Sequence, residues 1–297
     1  MVTSSNGSWH WWLRATRPRT LPLSALPTAI GIAWAWRDGS CALDSALGTL
    51  LCAVLLQVIA NYVNELGDFE RGADAPTRVG PPRAVAIGAI SPHAMRRAAV
   101  LLSALVIAVG IWLVSRSGWW LLAVGLAAVL FAWLYTTGIR PLAYVGLGEG
   151  AAFLFFGIIP SLGAYAIQSP RVALEPLLSG IAFGSFAAAV LGINNLRDVE
   201  HDRACGKRTL AVKHGLNSAT HLVLFLLAMP FAATVGLSIM LPEAAASLAL
   251  IPFVWRIGGE LRTAYGHRFT VLLVRTVLAA SLYGVLLLLA IIISTRR

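Results

Sequence analysis

Apolar runs of about 20 residues recur along the whole chain, the length an α-helix needs to cross a bilayer. Nine runs meet this pattern, at about 21–36, 43–64, 95–114, 118–137, 144–167, 174–196, 217–241, 243–257 and 269–294 by the apolar-run criterion. The eighth is the shortest and has Pro242 and Pro252 in its neighbourhood. The expected fold class is therefore all-α: a polytopic membrane protein with nine transmembrane helices. Composition supports the same reading, with 58% hydrophobic and only 12% charged residues. A soluble domain carries about 25% charged residues, so too little polar surface is left to cover a water-soluble globule. Disorder, a coiled coil and a nucleic-acid-binding domain are excluded on the same ground, despite a net charge of +10.

Residues 1–297 read as a single membrane unit, with no linker or low-complexity stretch. Residues 1–20 lack the apolar core and small-residue site of a cleaved signal. They fit a cytoplasmic interfacial segment, with Trp9, Trp11 and Trp12 at headgroup depth and Arg14, Arg17 and Arg19 facing anionic lipid. Cys41, Cys52 and Cys205 are odd in number and unpaired in spacing, which suits neither a disulfide framework nor a zinc site. Nine spans place Arg37, Arg116, Arg171, Arg296 and Arg297 on one side and Arg275 inside the last span. The other 17 of the 23 Lys and Arg residues fall on the opposite side. The positive-inside rule makes that side, with the N-terminus, cytoplasmic.

The acids are few and clustered. Seven of the thirteen are Glu65, Asp68, Glu70 and Asp74, and Asp198, Glu200 and Asp202, at the basic ends of the second and sixth spans. Ionisable groups at membrane depth are costly and mark functional sites by default. Asn194, Asp198 and Asp202 follow an i, i+4, i+8 spacing and share a helix face, as do Asn61, Asn64, Glu65 and Asp68. Two such faces pointing at each other would repel, and a divalent cation would relieve the conflict. All-oxygen donors select Mg²⁺ or a similar hard ion. Each cluster runs into a basic loop, one bearing Arg71, Arg78 and Arg83 and the other Lys207 and Arg208 behind Arg197. Carboxylates, a hard cation and nearby Arg and Lys suit a diphosphate, whose oxygens bridge metal and side-chain cations. A solvated helix cap is the plainer explanation for any one acid, and it applies best to Glu70, Glu200 and neighbouring His201. Cys205 reads as a small filler.

The chain resembles the UbiA-type intramembrane aromatic prenyltransferases, and among them the 1,4-dihydroxy-2-naphthoate polyprenyltransferases of menaquinone synthesis. The resemblance rests on Arg17-Pro18-Arg19-Thr20-Leu21-Pro22, on Asn64-Glu65-Leu66-Gly67-Asp68 through Asp74 and Arg78-Val79-Gly80-Pro81, and on Tyr135-Thr136-Thr137-Gly138-Ile139-Arg140-Pro141. It continues through Gly146-Leu147-Gly148-Glu149, Asn194-Asn195-Leu196-Arg197-Asp198, Asp202, and Gly206-Lys207-Arg208-Thr209-Leu210. One departure is Glu65, which stands where the family usually has aspartate.

The resemblance implies helices around a central cavity and Mg²⁺-dependent transfer of a polyprenyl group from its diphosphate to the naphthoate, giving demethylmenaquinol, CO₂ and diphosphate. Asp68, Asp198, Asp202 and Lys207 would be catalytic. Asn64, Glu65, Asp68, Asp74, Asn194, Asp198 and Asp202 would hold Mg²⁺. Arg71, Arg78, Arg83, Arg197, Lys207 and Arg208 would bind the diphosphate. Arg19, Asn61, Tyr135, Arg140, Tyr144 and Glu149 would bind the acceptor. The expected partners are a polyprenyl diphosphate, an aromatic acid and the lipid bilayer, with no nucleic acid, in a bacterial inner membrane. Other acceptors stay open, among them 4-hydroxybenzoate and homogentisate. A cation-coupled transporter is disfavoured because its acids would lie near the bilayer midplane, and a CDP-lipid transferase because its Asp-Gly-x-x-Ala-Arg element is absent. Arg275 would either meet the acceptor or reach to the interface.

Overall fold

A computed structural model describes residues 8–73, 80–138 and 141–295. Its described residues form helices and turns, with no strand among them. A short α1 (Ser8–Ala15) precedes α2 (Pro22–Arg37), α3 (Leu43–Glu70), α4 (Pro92–Ser117) and α5 (Trp120–Leu134). The fifth expected span is composite: α6 (Gly148–Phe153), a π-helical turn at Leu154–Ile158, then α7 (Ile159–Gln168). After it come α8 (Leu174–Arg197), the one-and-a-half-turn α9 (Val199–Ala204) and α10 (Leu210–Met240). A 3₁₀ stretch at Pro242–Leu250 runs into α11 (Ile251–Leu261), and α12 (His267–Ser294) closes the chain.

Among the described residues, seven of these rods are long and apolar enough to cross a membrane, so the expected count of nine is too high by that measure. The two that fall short are α2, with 16 residues, and α5, with 15. At 1.5 Å per residue both rise under about 25 Å, against a hydrocarbon core of about 30 Å. Helix α5 starts just after Gly118 and ends short of Gly138, which take φ of 99° and 94°, conformations that no helix continues. The apolar run at 118–137 is therefore longer than the helix by a few residues at each end.

Local chemistry sets several other boundaries. Ser91 caps α4 by accepting from the Ala94 N–H at 3.2 Å, with Pro92 at the first helical position. Thr209 caps α10 in the same way through Val212. In α8, 78% of the apolar window is buried, against 28% in α4. A helix apolar all round belongs inside, so α8 is the axis and α4 faces lipid. One core gathers α2, α8, α10 and α12 around Trp34, Phe183, Phe186 and Tyr283; a second joins α1, α3 and α4 around Trp12, Tyr62 and Met95. The π turn lies directly on the axis. A Cβ at Gly157 would come within 2.3 Å of the Gly180 carbonyl oxygen and the Gly184 Cα, so only glycine lets these backbones approach. That contact fixes α6, and with it Glu149, against α8.

Candidate active site

A cavity of about 920 Å³ lies between the acid-bearing ends of α3 and α8. Of the expected residues, Arg19, Asn61, Asn64, Glu65, Asp68, Arg83, Tyr135, Glu149, Asn194, Arg197, Asp198, Asp202 and Lys207 all line it. Asp74, Arg78 and Arg140 lie outside the described residues. The two acid faces do point at each other. Lys207, from the loop after the second cluster, reaches Asp68 of the first at 3.1 Å and stands 3.8 Å from Asp202. Asp68 is also held by Arg83 at 2.6 Å and accepts from the Tyr144 hydroxyl at 3.2 Å. Buried at 4% exposure, it is a carboxylate whose charge is balanced entirely from remote parts of the chain.

The second cluster is built differently. Helix α8 stops at Arg197, and Asp198 is its cap, with φ −99° and ψ 12°. The i→i+4 hydrogen bonds nevertheless continue through the break, from Asp198 N–H to Asn194 at 3.1 Å and from Asp202 N–H to Asp198 at 2.7 Å. The spacing therefore still carries Asn194, Asp198 and Asp202 to the same cavity, although on two helices rather than one. Arg197 clasps Asp198 through two 2.7 Å bonds and also donates to Asn194 Oδ1 at 2.7 Å. Burial pushes the Asp202 carboxyl up to about 6. Lys207 opposes that shift, while the charges of Asp198 and Asp68 add to it.

Three expected residues stand back from the cavity wall. Arg71 donates to the Gly138 carbonyl and lies over the Tyr144 ring, 4.9 Å from its centroid. Tyr144 sits in the loop before α6 and reaches the site only through its hydroxyl on Asp68. The Arg208 side chain is exposed, and its backbone N–H donates to the Tyr144 carbonyl at 3.0 Å. Glu65 lines the cavity, yet its Oε2 accepts from the Val85 N–H at 3.3 Å. The longer side chain thus reaches the turn that follows Arg83. Arg275 does not line the cavity: it forms a two-pronged pair with the part-exposed Glu260 at 2.8 and 2.9 Å. His201 is not simply solvated, since it lines the cavity and its Nε2 meets the Ala73 carbonyl at 2.6 Å.

Several cavity residues are not among those expected at the site. His10 and Arg14 arrive from α1, and Arg17 lines the cavity with φ 51°, alone among the described non-glycine residues in that region. Asn195, buried beside Asn194, donates to Glu149 Oε1 at 2.9 Å. Its helix spacing places it off the acid face, so only the packing of α6 onto α8 reveals it.

The donor set fits a hard divalent cation. It is made of carboxylate and amide oxygens, and Asn64 Oδ1 is buried with no partner among the described residues. No three His, Cys, Asp or Glu side chains among those residues gather closely enough to hold a metal by themselves. In this conformation Lys207, Arg83 and Arg197 supply the balancing charge instead. Beyond Gln57, Ala60, Phe131 and Phe156, which line both spaces, the polar cavity adjoins an apolar one of about 180 Å³ between α3, α4, α5 and α7. Phe131 stacks on Phe155 at that wall, with ring centroids 3.8 Å apart.

Comparison with known proteins agrees with this architecture. A 1,4-dihydroxy-2-naphthoate octaprenyltransferase of Mycobacterium tuberculosis is 37% identical over 262 residues, 88% of this chain and 89% of that protein. The Escherichia coli protein of the same name is 38% identical over 210 residues, covering 69% and 68%. Among solved structures, a UbiA homolog from Archaeoglobus fulgidus bound to GPP and Mg²⁺ superimposes with a TM-score of 0.69 at 18% identity, over 95% of this chain and 99% of that one. At that identity the likeness is one of fold. The model of the UbiA prenyltransferase family matches residues 24–269. With its apolar helices closing on a cavity of paired acids and cations, the chain belongs to the UbiA prenyltransferase family.

Proposed function

We propose that the chain transfers a polyprenyl group from its diphosphate to 1,4-dihydroxy-2-naphthoate, releasing CO₂ and diphosphate. The observation that carries this reading is the bridge of Lys207 between Asp68 and Asp202, in a polar cavity that shares a wall with an apolar one. The relatives named above point to the same acceptor. A diphosphate suits the polar side, where Arg83, Arg197 and Lys207 are its partners, and a prenyl tail suits the apolar side.

Asn64, Asp68, Asn194, Asp198 and Asp202 are the residues that would hold Mg²⁺. When bound, the ion supplies positive charge to the diphosphate oxygens. The chain's own cations act at the same place. Lys207 and Arg83 face the oxygens on which negative charge grows as the allylic C–O bond breaks, and such preorganised charge is usually the largest catalytic contribution. Arg19, with Arg14 and His10 from α1, lines the same cavity and would meet the acceptor carboxylate. Glu65 has a supporting place, holding the turn beyond Arg83. Phe131, Phe155 and Phe156 keep water from the allylic cation, which would otherwise be captured as the prenol. The distribution of Lys and Arg supports a cytoplasmic side for the N-terminus and this cavity, and the bacterial relatives support an inner membrane.

The test incubates the purified protein in detergent with Mg²⁺, polyprenyl diphosphates of several lengths and a panel of aromatic acids, with products identified by mass. A prenylated naphthoquinol lacking the carboxyl is the expected product. Prenylation of 4-hydroxybenzoate or homogentisate in its place would overturn the naphthoate assignment.

A further inference from the structure

Buried polar side-chain atoms without partners are rare in native proteins, a few per hundred residues, and each calls for an explanation. Here four atoms without partners among the described residues, Gln57 Oε1, Asn64 Oδ1, Thr136 Oγ1 and Glu149 Oε2, belong to residues lining one cavity. Such a concentration marks groups waiting for a ligand. Glu149 differs from the three aspartates of that wall, as does Glu65, which accepts from the Val85 N–H. Asp68, Asp198 and Asp202 each have a cation within 4 Å, whereas Glu149 Oε1 accepts from the neutral amide of Asn195 at 2.9 Å. A carboxylate resting on a cation is a poor base. Glu149 is 5% exposed and anchored by an amide, with its Oε2 without a partner among the described residues and so open to accept a proton.

We propose that Glu149 takes the proton from the acceptor hydroxyl and returns it within the same turnover, with Asn195 as the residue that positions it. This rests on the naphthoate reading. As the allylic cation bonds to the ring carbon bearing the carboxylate, the O–H electron pair of the adjacent hydroxyl becomes a C=O bond. Its proton passes to Glu149, leaving a β-keto carboxylate. The bond to the carboxylate then breaks and CO₂ departs. The electron pair left behind restores the aromatic ring and returns charge to the ring oxygen, which recovers the proton from Glu149. The products are prenyl naphthoquinol, CO₂ and diphosphate, with no net proton gained or lost. A buried carboxylate suits this closed cycle. An acceptor that keeps its carboxylate must instead lose a ring proton to solvent at every turnover.

Glu149→Gln tests this in the full-length protein with Mg²⁺. The expected result is a fall in kcat by roughly 10²–10⁴-fold, with naphthoate Kd from fluorescence changed by less than about 10-fold. A naphthoate carrying an electron-withdrawing ring substituent, and hence a more acidic hydroxyl, should recover part of the loss in the variant relative to wild type. Full activity of Glu149→Gln, or an equal loss with both acceptors, overturns the role of Glu149 while leaving the naphthoate reading intact. Asn195→Ala, which keeps the base but frees its anchor, should lower kcat by about 10-fold with the same dependence on acceptor acidity. An unchanged rate there removes Asn195 as the positioning residue. Wild-type protein that prenylates other aromatics but no dihydroxynaphthoate overturns the reading and this proposal together.

Discussion

The two acid clusters look like copies of one plan in the sequence: asparagine, aspartate, then a basic loop. In the folded protein their charge is balanced in opposite ways. Asp68 sits on a continuous helix and draws on Arg83, Tyr144 and Lys207, all remote in sequence. Asp198 sits at a helix break and is clasped by Arg197, its neighbour in the chain. The second cluster is therefore assembled by local structure, whereas the first is complete only when α3, the loop before α6 and the loop after α9 have come together. Lys207 joins the two.

The largest effects should come from the acids themselves. Asp68→Asn and Asp198→Asn keep shape but remove charge, and each should lower kcat by roughly 10³-fold or more in the prenyl-transfer assay. An active Asp198→Asn beside an inactive Asp68→Asn would break the equivalence of the clusters. Next, Lys207→Met should cost about 10²–10³-fold in kcat/KM and raise the KM for the diphosphate, because both clusters lose their shared cation. An unchanged KM would show that the bridge plays no part in holding the donor. Arg197→Met should weaken diphosphate binding and also lower stability. Arg197 and Asp198 have side chains only 3% and 8% exposed, so an unpaired carboxylate there should cost about 3 kcal/mol, read by thermal unfolding in detergent. The exposed pair of Arg96 with Glu70 is the control, and its loss should cost under about 1 kcal/mol. The smallest effect should come from Glu65→Gln, below about 10-fold in kcat, because an amide oxygen can still accept from Val85 N–H. A loss as large as that of Asp68→Asn would make Glu65 a charge-bearing member of the site.

How much of the fold and the site is legible in the sequence follows from what each signal measures. Apolar runs report burial in lipid or protein, so they locate the rods but overestimate α5, which lies between two glycines with positive φ and is shorter than its apolar run at both ends. Helical spacing reports which residues share a face, so it suffices to pick out Asn64, Asp68, Asn194, Asp198 and Asp202. Spacing says nothing of what lies opposite. Arg71 and Arg208 neighbour the acids in sequence, which is why they are expected at the diphosphate, yet both turn away. Arg275 looks anomalous inside a span until α11 brings Glu260 beside it. The fit of Glu149 against Asn195 depends on a glycine contact between the π turn and α8 that no local pattern encodes.

The sequence by itself determined that the chain is a bundle of membrane helices, because a bilayer leaves an apolar run no other way to satisfy its backbone. It also determined that the few charges retained are gathered at one end, since charge at membrane depth persists where it has work to do. Only the tertiary structure decided which cation meets which acid, that α8 is the axis, and that Glu149 stands in the cavity on the Asn195 amide. Those outcomes depend on which helices touch, and contact between distant segments is set by packing shape, which no window of residues contains.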